Sequence, residues 1–342
     1  MADPRRSIRR AARRPALLAS DLGPVRAATA ALARQDRGRP DRLAILTYHR
    51  VDTPDDEAYP GIVSATPEAF ARQVAWLAAD YHPIALADLL ARLDGGPALP
   101  RRAVLVTVDD AYACFAEHAW PVLRAHGVPA VLFVPTAFPG EPDRAFWWDR
   151  LYRSVLGAAG DRVAATALGP VDLRTTATRR RSVRVLRDAL KAMPHAEAMA
   201  ALDATVDQLG ERPGRVRVLD WDALRRLAEE GVEMGIHSRT HPLLDRLPAD
   251  RLDEEIAGAR DDLHAALGSA AAPAIAYPNG NHSATVLAAV ERAGLRVGFA
   301  TARGTNDLGR PDWLALRRIN VGMGTGQAAL QAQLHGWLDR WT

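Results

Sequence analysis

Two adjacent carboxylates, Asp109 and Asp110, follow directly on the apolar run "RAVLVTV" at residues 102–108. Like charges held side by side disfavour one another's ionised form, so a buried strand that ends this way needs something to offset the repulsion. A divalent cation does so, and it would bind one of the two. The second cluster is "HSRTH", His237 to His241. On a helical turn, residues i and i+4 face one way and both imidazoles can reach one ion. On a loop the spacing allows this without dictating it. Two histidines and one carboxylate make a common catalytic zinc set that keeps a position open for water. The other aspartate would then be free to act as general base on that water. Each cluster also has a plainer use: the aspartates as a helix cap and first-turn acid, the histidines as hydrogen-bonding residues in a turn ending at Pro242. Their joint presence is what favours a metal site.

On an ideal strand Asp109 and Asp110 would point to opposite faces, so the chain must bend beyond the strand end for both to reach one pocket. Seven apolar segments read as strands: 42–49, 102–108, 129–135, 232–238, 272–278, 296–302 and 316–322. Amphipathic stretches lie between them. In "TPEAFARQVAWLAAD" (66–80), Thr66 can cap, Pro67 suits the first helical position, and Phe70, Val74 and Leu77 share a face. Further helices are expected at 116–127, 220–231, 250–268 and 283–294. This alternation predicts a mainly parallel α/β architecture, an open sheet or a barrel, with ligand sites at the carboxyl ends of the strands. His49, the aspartate pair, His237, Tyr277 and Asn279 all fall at such ends. Between about residues 146 and 219 the pattern turns polar and helical, as an insertion of two or three helices that would either shape a substrate groove or cover it.

The 342 residues suit two domains or one large barrel, and 48% hydrophobic residues suffice for a sizeable core. A single cysteine, Cys114, rules out an intrachain disulfide and a thiolate zinc site, leaving His and carboxylate as metal ligands. The net charge of +3 is concentrated near the start, as in "RRSIRRAARR" at 5–14. Residues 1–40 read as a basic, partly disordered tail, which leaves peripheral contact with an acidic membrane open. "PALLAS" is shorter than a signal-peptide core, and Asp21 and Arg26 interrupt the next apolar stretch, so a cytoplasmic location, with membrane association open, is the expectation. The arginines lack interleaved aromatics, which argues against nucleic acid as a partner. No Gly-rich phosphate loop is present: "GMGTG" (322–326) is not followed by Lys.

These motifs resemble those of the polysaccharide deacetylases, whose catalytic unit is the NodB homology domain of carbohydrate esterase family four. "TVDDAY" looks like that family's first motif, "HSRTHPLL" its second and "AIAYPNG" its third, with "LTYHRV" and "LRRINV" similar to flanking strands. The resemblance spans about residues 43–322. It implies a distorted (β/α) barrel of about seven strands, and metal-dependent removal of acetyl from an N-acetylated carbohydrate, with no obligate protein partner. By position, Asp109 would be the general base, and Asp110, His237 and His241 would hold the metal, zinc in the first instance. Ser238 would fix the turn behind the histidines. Tyr277 and Asn279 would contact substrate, with a backbone N–H near Tyr277 facing the oxyanion. Trp147, within the cluster Phe146–Trp148, would either stack on sugar or help to anchor the insertion. The sequence departs from the family at Ala276, where many members carry an arginine that orients the base. The family's fourth motif is not identifiable, and Asp312 and Trp313 read as a surface turn. For the general acid, His49 is preferred over His335, which sits on an amphipathic helix. Two other readings remain: an enzyme acting on a small or lipid-linked sugar, and a binding protein with a weakened site.

Overall fold

Runs such as "AVLVTV" and "AVLFV" are too short and too rich in β-branched residues for core helices, and they become strands buried on both faces. A computed structural model describes residues 39–337 except 55–57, 213 and 215, together with residues 27, 29, 31 and 32. The basic tail expected at 1–40 lies almost entirely outside the described residues. None of the described helices is long and apolar enough to cross a membrane.

The main sheet has nine strands: β1 (Arg42–Tyr48), β2 (His82–Pro83), β3 (Ala103–Val108), β4 (Ala130–Val134), β5 (Glu233–Ile236), β6 (Ala271–Ala276), β7 (Val297–Phe299), β8 (Asn306–Asp307) and β9 (Ile319–Asn320). The order is β7-β6-β5-β4-β3-β1-β8, with β9 on β1 and β2 on β3. All pairings are parallel except β1 with β8. Register aligns the strand ends. Tyr48 pairs with Val108, Val108 with Leu132, Val134 with Ile236, and Ile236 with Ile275. The residues that follow, His49, Asp109, His237 and Tyr277, therefore share one rim.

The sheet is curled, and one segment links its two ends. Gly298 N–H donates to Trp313 O at 2.8 Å, and Leu316 N–H donates to Gly298 O at 2.8 Å. Three residues on, Ile319 pairs with Leu46 of β1. Only glycine fits at 298, because a Cβ there would stand 2.3 Å from Leu314 O and 2.5 Å from the Tyr277 hydroxyl. This is the distorted (β/α) barrel that the motifs imply, closed by a largely irregular segment and not by the full strand expected at 316–322. Asp312 and Trp313 form a turn within that segment, with Ala315 N–H donating to Asp312 O at 3.0 Å.

Helix α1 (Pro67–Asp80) is capped by Thr66, whose side chain accepts from Ala69 N, and it buries Phe70, Val74 and Leu77. The helix expected at 116–127 splits into a π-turn at Phe115–Ala119 and an α-helix at Trp120–Ala125. Pro121 explains this, since it has no N–H to continue the i→i−4 ladder. Between β4 and β5 the chain leaves the sheet and forms α2 (Trp147–Gly157), a hairpin at 163–172, α3 (Thr176–Ala192) and α4 (His195–Leu209). Polar periodicity reads as helix throughout this stretch and does not reveal the hairpin, which turns at Gly169 with φ +120°. These elements bury their own apolar cluster, including Leu151, Val155, Leu186, Leu202 and Val206. They are keyed to the barrel through buried Asp149, which accepts from Tyr59 N–H (2.7 Å) and the Tyr112 hydroxyl (2.8 Å). Burial pushes the Asp149 carboxyl up to about 6.

Candidate active site

The two aspartates enter one cavity because the chain abandons strand geometry immediately after β3. Asp110 and Ala111 take φ values of +74° and +51°. Ser238 (+59°), His241 (+64°) and Asn279 (+58°) are strained in the same way. Five of the seven non-glycine residues with positive φ among the described residues thus stand in three loops of one rim, after β3, β5 and β6. Each costs on the order of 1–3 kcal/mol, so the surrounding structure must impose it.

The segment His237–His241 is a bend, not a helical turn. His237 N–H extends the β5 pairing to Val134 O at 2.8 Å. The chain then reverses, and Ser238 Oγ accepts from His241 N–H at 3.1 Å. Glu255 of α5 (Ala249–Leu267) holds the outside of the bend. Its carboxylate accepts from Arg239 N–H (3.0 Å), Thr240 N–H (2.9 Å) and the Thr240 hydroxyl (2.5 Å). As a result, one ligand atom each of Asp110, His237 and His241 lies within 4.8 Å of the others. His237 Nε2 stands 3.4 Å and His241 Nε2 3.2 Å from Asp110 Oδ1. Neither is aligned for a hydrogen bond, and Oδ1 is buried without a partner. Burial alone would raise the Asp110 carboxyl, but the two imidazoles outweigh it and hold it well below the usual carboxylate range. His237 Nδ1 lies 2.7 Å from Ala276 O, a contact that places a proton on Nδ1 and points Nε2 toward Asp110; burial works to lower this imidazole, but Asp109 and Asp110 outweigh it and raise it. Burial lowers His241, against the opposing pull of Asp110. Buried, unsatisfied, with imidazole nitrogen and carboxylate donors, this set fits a divalent ion of the zinc type.

Asp109 is treated differently. It is buried and accepts two parallel hydrogen bonds at 2.8 Å from Arg318 Nη1 and Nη2. Arg318 is itself 1% exposed and donates from Nε to Ala300 O. Burial works to raise Asp109, but Arg318, with His237 and His49, outweighs it and lowers the carboxyl. The sequence reading missed Arg318. Its signal was "LRRINV", which places two arginines just ahead of a strand. The guanidinium beside Asp109, absent at Ala276, is thus supplied from the segment that closes the barrel. Glu255 was missed as well, although it is a carboxylate inside the buried stripe Leu252, Ile256, Ala259 and Leu263.

The cavity has a volume of about 110 Å3 and is lined by His49, Trp147, Tyr277 and Asn279 as well as by the aspartates, the histidines and Arg318. His49 is half-buried, and it contributes to lowering both aspartates. His335 is not among the lining residues and packs on Tyr81 and Trp337. Trp147 is half-exposed, while Phe146 and Trp148 are buried, stack at 4.5 Å and pack edgewise on His241. The Tyr277 hydroxyl donates to Leu314 O of the closing segment, and its own N–H extends the β6–β7 pairing to Phe299 O, so that particular N–H is already engaged. The exposed Asn279 side chain binds Lys191 and Asn281.

The sequence profile described as "Polysaccharide deacetylase" matches residues 96–298. Over 87 residues the chain is 34% identical to the poly-beta-1,6-N-acetyl-D-glucosamine N-deacetylase of Escherichia coli (strain K12), which is 25% of this chain and 13% of that protein's length. Among solved structures, the deacetylase PplD of Streptococcus pyogenes, in complex with acetate, superposes with a TM-score of 0.58 at 18% identity, covering 86% of this chain and 99% of that one. IcaB from Ammonifex degensii superposes with a TM-score of 0.55 at 18% identity, covering 86% and 97%. At these identities the superpositions establish the fold. His49 and Arg318 lie outside the profile match, while both motif clusters lie within it. With 203 of 342 residues matched (298 − 96 + 1 = 203), the chain belongs to the polysaccharide deacetylase family.

Proposed function

We propose that the protein is a metal-dependent hydrolase that removes the acetyl group from an N-acetylated sugar. The observation carrying this reading is the buried trio Asp110, His237 and His241, next to a separate carboxylate, Asp109, that is locked by Arg318. Asp110, His237 and His241 would hold the ion. When bound, the ion supplies Lewis acidity to an acetamide carbonyl and to water. Asp109 accepts a proton from the attacking water, and its fixed position keeps one face toward the reaction. Arg318 holds that carboxylate ionised and oriented. His49, at the end of β1 beside Asp109, donates a proton to the leaving amine. Trp147 offers a partly exposed ring for the sugar. Acetate and a free amino sugar result.

The test pairs metal content with acetate release from N-acetylglucosamine donors. Asp109→Asn is expected to retain about one ion per chain and lose roughly 10²–10⁴-fold in turnover. His237→Ala is expected to lose both. Normal turnover by Asp109→Asn would refute the base assignment. Metal binding without turnover by the unaltered protein would favour the second reading, a binding protein on the same fold.

A further inference from the structure

The barrel supplies the floor of the cavity, and the insertion supplies part of its rim. Asp109, Asp110, His237, His241 and Arg318 are buried, whereas Arg187 and Lys191 of α3 are half-exposed. Four residues apart on one helix, these two cations share a face. Their partners are almost all neutral. Arg187 donates to the Tyr59 hydroxyl and lies over that ring at 4.9 Å. Its carboxylate contact is the exposed Asp188 at 3.6 Å, and its Nε is buried without a hydrogen-bond partner. Lys191 Nζ donates to Asn279 Oδ1 at 2.5 Å. Burial and the neighbouring Arg187 push the Lys191 ammonium down to about 8. Among the described residues lining the cavity, the only carboxylates are Asp109 and Asp110. Arg318 already neutralises the first, and the second faces the imidazoles. A neutral acetamido sugar would leave the exposed Asp188 as the one carboxylate beside the two rim cations among the described residues. An anionic group would pair with both through charge-assisted hydrogen bonds.

We propose that Arg187 and Lys191 form an anion subsite at the mouth of the catalytic cavity, and that the substrate is an acetamido sugar bearing a phosphate or carboxylate on the same sugar ring. This rests on the deacetylase reading of the floor. The insertion then acts as a specificity element: it adds positive charge where the barrel has none to spare.

The zinc-loaded full chain is assayed for acetate release from N-acetylglucosamine, from N-acetylglucosamine 1-phosphate and from a 2-acetamido-2-deoxyuronic acid. Calorimetric affinities for glucosamine, glucosamine 1-phosphate and a 2-amino-2-deoxyuronic acid are measured in parallel, so that binding is read without turnover. The expected result is a preference of about tenfold or more for one of the anions, in kcat/KM and in affinity, weakening with salt. Whether the phosphate or the carboxylate gains more identifies the anion. Arg187→Gln with Lys191→Gln should bring the ratio toward one, and the conservative pair Arg187→Lys with Lys191→Arg should restore part of it. Equal treatment of neutral and anionic sugars by the unaltered enzyme would overturn the subsite. So would a preference that survives the Gln pair, which would place the anion on the floor cation. Deacetylation without anion preference would sink the subsite alone. Anion binding that depends on Arg187 and Lys191 in a protein that releases no acetate would sustain the subsite and sink the deacetylase reading.

Discussion

Asp109 and Asp110 are neighbours in sequence and equally buried, yet their surroundings are opposite. Asp109 has a bidentate guanidinium and is electrostatically complete. Asp110 has two imidazole nitrogens at 3.2–3.4 Å and an oxygen without a hydrogen bond. One carboxylate is finished by the fold, and the other is left for a ligand to finish. The difference shows how a single dipeptide can serve two roles. The strand fixes where both begin, positive φ at Asp110 turns the second toward the histidines, and a residue 209 positions away secures the first.

The strongest way to break this contrast is to remove Arg318. Arg318→Met would leave Asp109 buried and unpaired, a loss of about 3–5 kcal/mol in stability together with turnover. The pH dependence has a definite sign. Because Asp109 is lowered in the folded protein, its pairing stabilises above the unfolded value of roughly 3.9 and is lost as pH falls through the lower folded value. In Arg318→Met burial dominates and the carboxyl rises, so the deficit should be largest near neutrality and narrow as the pH falls toward 4. Denaturant melts of both proteins from pH 3 to 7 measure this. A deficit that grew on acidification would contradict it.

Completing Asp110 should have the next largest effect. Zinc at about 100 times its Kd should stabilise the unaltered protein by roughly 2.7 kcal/mol, a gain that chelator removes and His237→Ala lacks. Thermal melts with and without zinc read this directly, and an equal shift in His237→Ala would place the ion elsewhere. The smallest effect probes how the open half is held. Glu255→Gln weakens three hydrogen bonds to the bend that presents His241. It should cost about 1–3 kcal/mol, and metal affinity should fall about 10–100-fold while Asp109 stays paired. Unchanged metal affinity would show that Ser238 alone fixes the bend.

Much of the site was legible because it is built from local pattern. "VTVDDAY" and "HSRTH" place four polar side chains just beyond apolar runs, and parallel strands bring such ends to one rim. The helix faces of Phe70, Val74 and Leu77 followed from period alone. What escaped the reading depended on distance. Nothing near Arg318 in sequence marks it as a partner of Asp109, and nothing near Arg187 or Lys191 points to a cavity formed by the barrel. Glu255 left a trace, a charge in an apolar stripe, whereas the hairpin at 163–172 left almost none among polar residues.

The amino-acid order by itself determined the strands, the helices between them and the types of side chain at the strand ends, because burial period and capping act over a few residues. Tertiary structure decided which of those side chains meet. Barrel closure brings a guanidinium from near the end of the chain onto one aspartate, and strained bends aim two imidazoles at the other. The insertion, docking through a buried carboxylate, sets two cations at the mouth. Charges act through space, and the separations that count here are fixed only once the sheet has curled on itself.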